Sequence, residues 1–109
     1  MARPFVVTQT GAGSSVVYPF NLNITPGNIA IGCVVSGTVN FTVQHTYEDP
    51  FAATFNPATA VWFSHPTLVN LTANAESNYA YPPRAVRVTV NSGSGSVTMT
   101  VIQAGVSGG

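Results

Sequence analysis

Charge is what this chain has least of. Its 109 residues hold three basic and three acidic side chains, no lysine, and a formal net charge of zero. Charged residues make up 6% of the sequence, against roughly 25% in ordinary domains. Phosphate-binding surfaces are built from Lys/Arg clusters, and Arg3, Arg84 and Arg87 form none in sequence. That excludes a nucleic-acid partner of this kind, and a basic helix lying on a membrane surface with it. Little charge repulsion keeps copies apart, which points towards association with partners or with further copies of the chain. Cysteine is limited to Cys33, so no disulfide framework can form within the chain. The thiol sits inside a strand pattern and reads as a small buried hydrophobe. Long apolar runs are missing too. The opening MARPFVVTQTG lacks the roughly 7–15-residue apolar core of a signal peptide, and no run approaches the ~18 residues of a spanning helix. The triplets at Asn23, Asn40 and Asn70 match the glycosylation pattern but matter only in a secretory compartment; they read as ordinary strand and turn residues.

What is present is alternation. Residues 28–47 organise the chain: NIAIGCVV, then SG, then TVNFTVQHTY. In the second arm Val39, Phe41, Val43, His45 and Tyr47 share one parity, while Asn40, Thr42, Gln44 and Thr46 share the other. A period of two with one apolar face is the mark of a half-buried antiparallel strand. The first arm is apolar on both parities and reads as more central. Ser36-Gly37 fits a tight hairpin turn. Residues 85–91 form a second strong strand, with Val86, Val88 and Val90 inward and Arg87 and Thr89 outward. Its return over 96–104, across the turn Ser92-Gly93-Ser94-Gly95, sets Val97, Met99 and Val101 against Thr98, Thr100 and Ile102. Residues 5–10 are a further strand. Residues 15–24 are another, which Pro19 demotes to an edge or splits. Short strands are expected at 61–63 and 68–73. The stretches 48–60 and 73–83 read as long loops. About seven short strands with Gly/Pro/Asn turns and no convincing helix predict an all-β fold, an antiparallel β-sandwich or partly open small barrel. It forms a single domain over 1–109, with an N-terminal arm at 1–4 and a loose tail at 105–109.

Chemistry-bearing residues are few. His45, Glu48, Asp49, His65 and Glu76 supply the nitrogen and carboxylate ligands, and none has metal-site spacing; no metal or cofactor is expected. Glu48-Asp49 reads as a solvated turn, with a cap on strand-end donors or a weak site for an oxygen-preferring cation as the alternatives. His45 lies on the apolar parity as a core or interface histidine, and His65 precedes Pro66 in a turn. No serine sits in a strand-to-helix elbow, so no nucleophilic triad is expected and the chain does not read as an enzyme. The aromatics Trp62, Phe63, Tyr79 and Tyr81 remain. Flanked by amides they can stack on sugar rings; they can equally plug the core or lie in a subunit interface. Phe5, in a strand that can add to a neighbour's sheet, joins them as a candidate interface residue.

The run VSGTVNFTVQHTYEDPFAATFNPATAVWFSHPTL (35–68), followed by a tyrosine-proline loop, the 85–91 strand and a VIQAG ending, resembles small β-structured virion proteins of tailed bacteriophages. The resemblance implies a non-enzymatic structural component, a capsid decoration or cement protein or a head–tail accessory. It would be made in the host cytoplasm and located in the virion. The implied partners are the major capsid protein or another virion protein, with a homo-oligomer, a trimer in particular, as the working form. It draws attention to His45, Glu48, Asp49, Trp62, Phe63, His65 and Pro66. No catalytic residue is carried over.

Overall fold

The two strand–turn–strand segments at 29–46 and 85–103 set the architecture, but neither is a hairpin. A computed structural model describes residues 5–20, 24–25, 29–79, 83–103 and 106–107. In chain order the strands are β1 (Phe5–Thr10), β2 (Gly13–Ser14), β3 (Tyr18–Pro19), β4 (Ile24–Thr25), β5 (Ile29–Ser36), β6 (Asn40–Thr46), β7 (Phe63–Ser64), β8 (Ala75–Tyr79), β9 (Ala85–Ser92), β10 (Ser96–Gln103) and β11 (Val106–Ser107). β5 pairs with β10 and β8, while β6 pairs with β9 and β7. Each expected hairpin is therefore an arch that leaves one sheet and enters the other.

The reason lies in register. A two-residue turn at Ser36-Gly37 would set Cys33 beside Asn40 and Gly32 beside Phe41, splitting the apolar sets over both faces. Crossing between sheets lets Ile29, Ile31 and Cys33 meet Val39, Phe41 and Val43 across one interior, where all six are buried. The two arches stack on each other. The Gly95 N–H donates to Thr38 O at 3.0 Å. A Cβ on Gly93, whose φ is +104°, would meet Thr38 O at 2.2 Å, and one on Gly95 would meet Ser36 O at 2.3 Å. Only glycine permits that approach.

The result is an open antiparallel sandwich rather than a barrel. The four-stranded sheet runs β1-β10-β5-β8, and the five-stranded sheet runs β2-β9-β6-β7 with β3 also on β9. Val86, Val88 and Val90 face Val97, Met99 and Val101 through the core as their alternation requires, all six buried.

Other expectations need correction. The segment 15–24 lies at an edge and is split, as Pro19 suggested, but a break precedes the proline: β2 and β3 pair with different parts of β9, and the Ser15 hydroxyl accepts from Val88 N–H in the gap at 3.0 Å. Pro19 lies on that edge, where its missing donor costs no ladder bond. Residues 68–73 are not a strand but an irregular cover for the edge of β6. Leu68 O accepts from Val43 N–H, and Leu71 and Phe41 exchange both backbone bonds. The expected loop over 73–83 contains β8, paired with β5 from Ile29↔Tyr79 to Cys33↔Ala75. The short strand of 61–63 is shifted to Phe63–Ser64. β5 is central, but its second face is not buried: Ala30 and Val34 are exposed. The supposedly solvated face of β6 is covered, with Thr42 and Thr46 buried. Tyr47 lies outside the core. The arm 1–4 lies outside the described residues; of the tail, Val106–Ser107 pairs with β4.

Candidate functional site

Most of the nominated residues fall in two places, and the structure adds a third. The first is the excursion after β6. Residues 48–62 fold over the outer face of the five-stranded sheet and are tied down by their own polar groups. Buried Thr46 donates its hydroxyl to Val61 O at 2.9 Å, and the Glu48 carboxylate accepts from Val61 N–H. Asp49 accepts from Phe51 N–H at 2.9 Å and lies 3.4 Å from Arg84. That ion pair is about half exposed on both sides and contributes little. The Trp62 indole N–H donates to Pro57 O at 2.9 Å, and its ring carries the Arg87 guanidinium at 4.0 Å. Arg87 also donates to Pro57 O and to Gln44 Oε1, and burial pulls its pKa below the usual arginine range. Trp62, Glu48 and Asp49 thus act as fasteners. The indole's donor is used and one ring face is covered.

The second place is an imidazole–tyrosine cluster where the two sheets meet beside β7 and β8. β7 aligns Phe63 with His45. The rings of His45 and Phe63 stack at 6.0 Å, and His45 Nδ1 pairs with Tyr79 OH at 2.8 Å. His65 Nε2 donates to Asn78 O at 2.9 Å, and its Nδ1 accepts from Thr67 N–H and Leu68 N–H at 3.1 and 3.3 Å. Two backbone donors on Nδ1 select the neutral tautomer with the proton on Nε2. His65 thereby latches the strip beside β6 to the edge of β8, joining the two sheets. Burial lowers the pKa of His45, with the nearby His65 adding to the effect. Burial, with Tyr47, raises that of Tyr79. A cleft of about 410 Å³ opens here, lined by His45, Tyr47, His65, Pro66, Thr67, Ser77, Asn78 and Tyr79. Tyr47 stands at its mouth 5.8 Å from Phe63, and both rings are substantially exposed, at 63% and 48%.

Phe5 is in neither group. It stacks on Tyr18 at 4.4 Å between the edges of the two sheets. Tyr81 lies outside the described residues. Sequence reasoning omitted Tyr47 from the site because its parity placed it inward; its position just past the end of β6, before Glu48-Asp49-Pro50, was the available signal.

The third place was missed altogether. It is the outer face of the four-stranded sheet. Register aligns Val6, Thr100, Gly32 and Glu76 in one row, Thr8, Thr98 and Val34 in a second, and Ile102, Ala30 and Asn78 in a third. Val6, Val34 and Ile102 are 59%, 58% and 42% exposed, and the Thr8 and Thr98 hydroxyls bond to each other at 2.9 Å. Glu76 is the one charged residue in these rows. The parity of Ala30, Gly32 and Val34 was legible, but it reads as a second buried face until the opposing layer is known.

Cys33 faces the core, and burial pushes its thiol up to about 12, which leaves it unreactive. Among the described residues no three His, Cys, Asp or Glu side chains are grouped to hold a metal ion, and no helix is long and apolar enough to cross a membrane. The chain matches no family model, no curated protein and no solved structure.

Proposed function

We propose that this protein is a non-enzymatic structural component of a tailed-phage virion, a decoration or cement protein that binds the capsid lattice through the open face of its four-stranded sheet. The observation that carries this reading is the face itself: three rows of Val, Ile, Ala, Gly, Thr and Asn with a single carboxylate, on which Val6, Val34 and Ile102 are exposed. Val6, Val34 and Ile102, exposed together on one sheet face, make it a candidate interaction surface. Strand spacing gives it a width of about 14 Å, and residue rise a length of about 13 Å between the outer rows. That footprint falls well short of the ~800 Å² per partner of a standard interface. One copy would therefore bind weakly, and many copies on a repeated lattice would bind tightly through avidity. The resemblance over residues 35–68 points to the same class of protein. Mass spectrometry of density-gradient-purified particles of the encoding phage provides the test. The expected result is this chain in many copies per particle; its absence from particles while abundant in the lysate overturns the reading.

A second reading rests on the cleft at Tyr47. Exposed aromatic faces beside neutral hydroxyl and imidazole groups suit a saccharide, so a small carbohydrate-binding or adhesion module is the alternative. The ring that would stack is Tyr47, assisted by Phe63, rather than Trp62 or Tyr79, whose polar atoms are committed within the fold. This reading expects saturable glycan binding that is lost in Tyr47→Ala with the melting temperature unchanged. Glycan binding that survives Tyr47→Ala, or its absence across a broad glycan panel, rejects it.

A further inference from the structure

The two edges of the four-stranded sheet are treated differently. The edge at β8 is latched, because Asn78 O accepts from His65 Nε2–H. The edge at β1 carries no strand among the described residues. Its hydrogen-bonding phase can be worked out. β1 and β10 pair from Phe5↔Val101 to Thr10↔Ser96, and one step further along the same register Gly11 N–H donates to Gly95 O at 2.9 Å. In an antiparallel ladder, hydrogen-bonded and non-bonded pairs alternate. Phe5, Val7 and Gln9 therefore direct their backbone groups at β10, and Val6, Thr8 and Thr10 direct theirs outward. Among the described residues the one hydrogen bond made to these outward groups comes from the Gln9 amide, 3.4 Å from Thr10 O.

We infer that β1 pairs with β1 of a second copy, antiparallel about a two-fold axis at Thr8, joining two four-stranded sheets into one. Three observations select a second copy as the occupant. First, the outward groups are self-complementary. With Thr8 opposite Thr8 of the second copy, Val6 meets Thr10 and Thr10 meets Val6, and all three are bonded pairs that exchange about six hydrogen bonds. Second, the strand carries none of the usual protections of an edge: no charge, no proline and no bulge lies within Phe5–Thr10, and such an edge is a template for pairing. Third, the side chains match across the axis. Val6, Thr8 and Thr10 are exposed, so Val–Thr and Thr–Thr neighbours would continue the pattern of the open face into the second copy. An isologous edge contact closes at two copies, so the trimer implied by the family resemblance would need a second, different contact. The pairing does not depend on the virion reading: it concerns the purified protein alone.

The test is sedimentation equilibrium over a concentration series with substitutions at Thr8. Its N–H points outward, so Thr8→Pro removes no backbone bond to β10, only the exposed hydroxyl bond to Thr98, but blocks the central pair; Val7→Pro, which removes an inward backbone bond, serves as the destabilising control. The expected result is a wild-type mass rising to twice the 11.3 kDa of the chain, with Thr8→Pro remaining monomeric. Thr8→Lys, which sets two like charges opposite each other, should weaken the dimer at least tenfold, more at low salt than at high salt. The lysine variant decides the matter if the proline variant fails to fold. A wild-type monomer at every concentration overturns the inference. So does any oligomer, dimer or trimer, that persists in both variants that fold.

Discussion

The two outer faces of this sandwich are built from similar strands and end in opposite states. On the five-stranded sheet Gln44, Arg87 and Thr89 form a polar network, and residues 48–62 lie over it with Trp62 on Arg87. On the four-stranded sheet Val6, Val34 and Ile102 stand exposed among threonines. The face with polar groups is covered by its own chain, and the face with aliphatic groups is bare. A chain selected only to fold would bury the aliphatic side. That inversion is the feature on which the proposed binding role of the bare face rests.

The strongest way to break the comparison is to disturb the arches that hold both sheets in place. Gly93→Ala forces a Cβ onto Thr38 O at a positive φ, and is expected to cost about 3 kcal/mol, measured as a loss of the urea midpoint with an unchanged slope. A loss under about 1 kcal/mol would mean that the two turns do not pack as described. Next comes the cover itself. Trp62→Ala removes the Arg87 contact and the bond to Pro57, and should destabilise by about 2 kcal/mol, below the full cost of a buried tryptophan because the ring is partly exposed. On the bare face, Val34→Ser should stay within about 0.5 kcal/mol. Equal losses at the two positions would remove the distinction between the faces.

Between these lies a pH effect at the cluster that joins the sheets. The folded pKa of His45 is lowered, first by burial and then by His65, so the unfolded chain binds this proton more readily than the native one. The stability contributed by neutral His45 is present above its unfolded value near 6.5 and is lost as pH falls from there towards the lowered folded value. Melting temperature should decline from pH 7 to pH 5, and His45→Gln should flatten that decline. Equal slopes in the two proteins would assign the effect to other groups.

Much of the fold was legible as alternation. Val86, Val88 and Val90, and Val97, Met99 and Val101, face inward because period two leaves them nowhere else to go. The arches were not legible, because Ser-Gly and Ser-Gly-Ser-Gly serve a hairpin as well as a crossing. Only non-local pairing of β5 with β10 and of β6 with β9 decides between them. β8 was hidden for a related reason: Ala-Glu-Ser-Asn-Tyr has weak strand propensity and is held extended by pairing with β5. Among the candidate residues, the identities of His45, Phe63, His65 and Tyr79 could be picked from the sequence, but their assembly depends on β7 aligning with β6 at a distance in the chain. Trp62 was selected for its chemistry, and its two committed partners, Pro57 O and Arg87, belong to the tertiary structure alone.

On the virion reading proposed above, the most direct measurement is binding of the double variant Val34→Glu/Ile102→Glu to capsid particles that lack this protein, alongside the wild type. Both residues are exposed on the bare face, so the melting temperature should stay close to that of the wild type. The account predicts that wild-type protein rebinds and the variant does not. A folded variant that binds as well as the wild type would contradict the claim that this face is the surface the assembly covers.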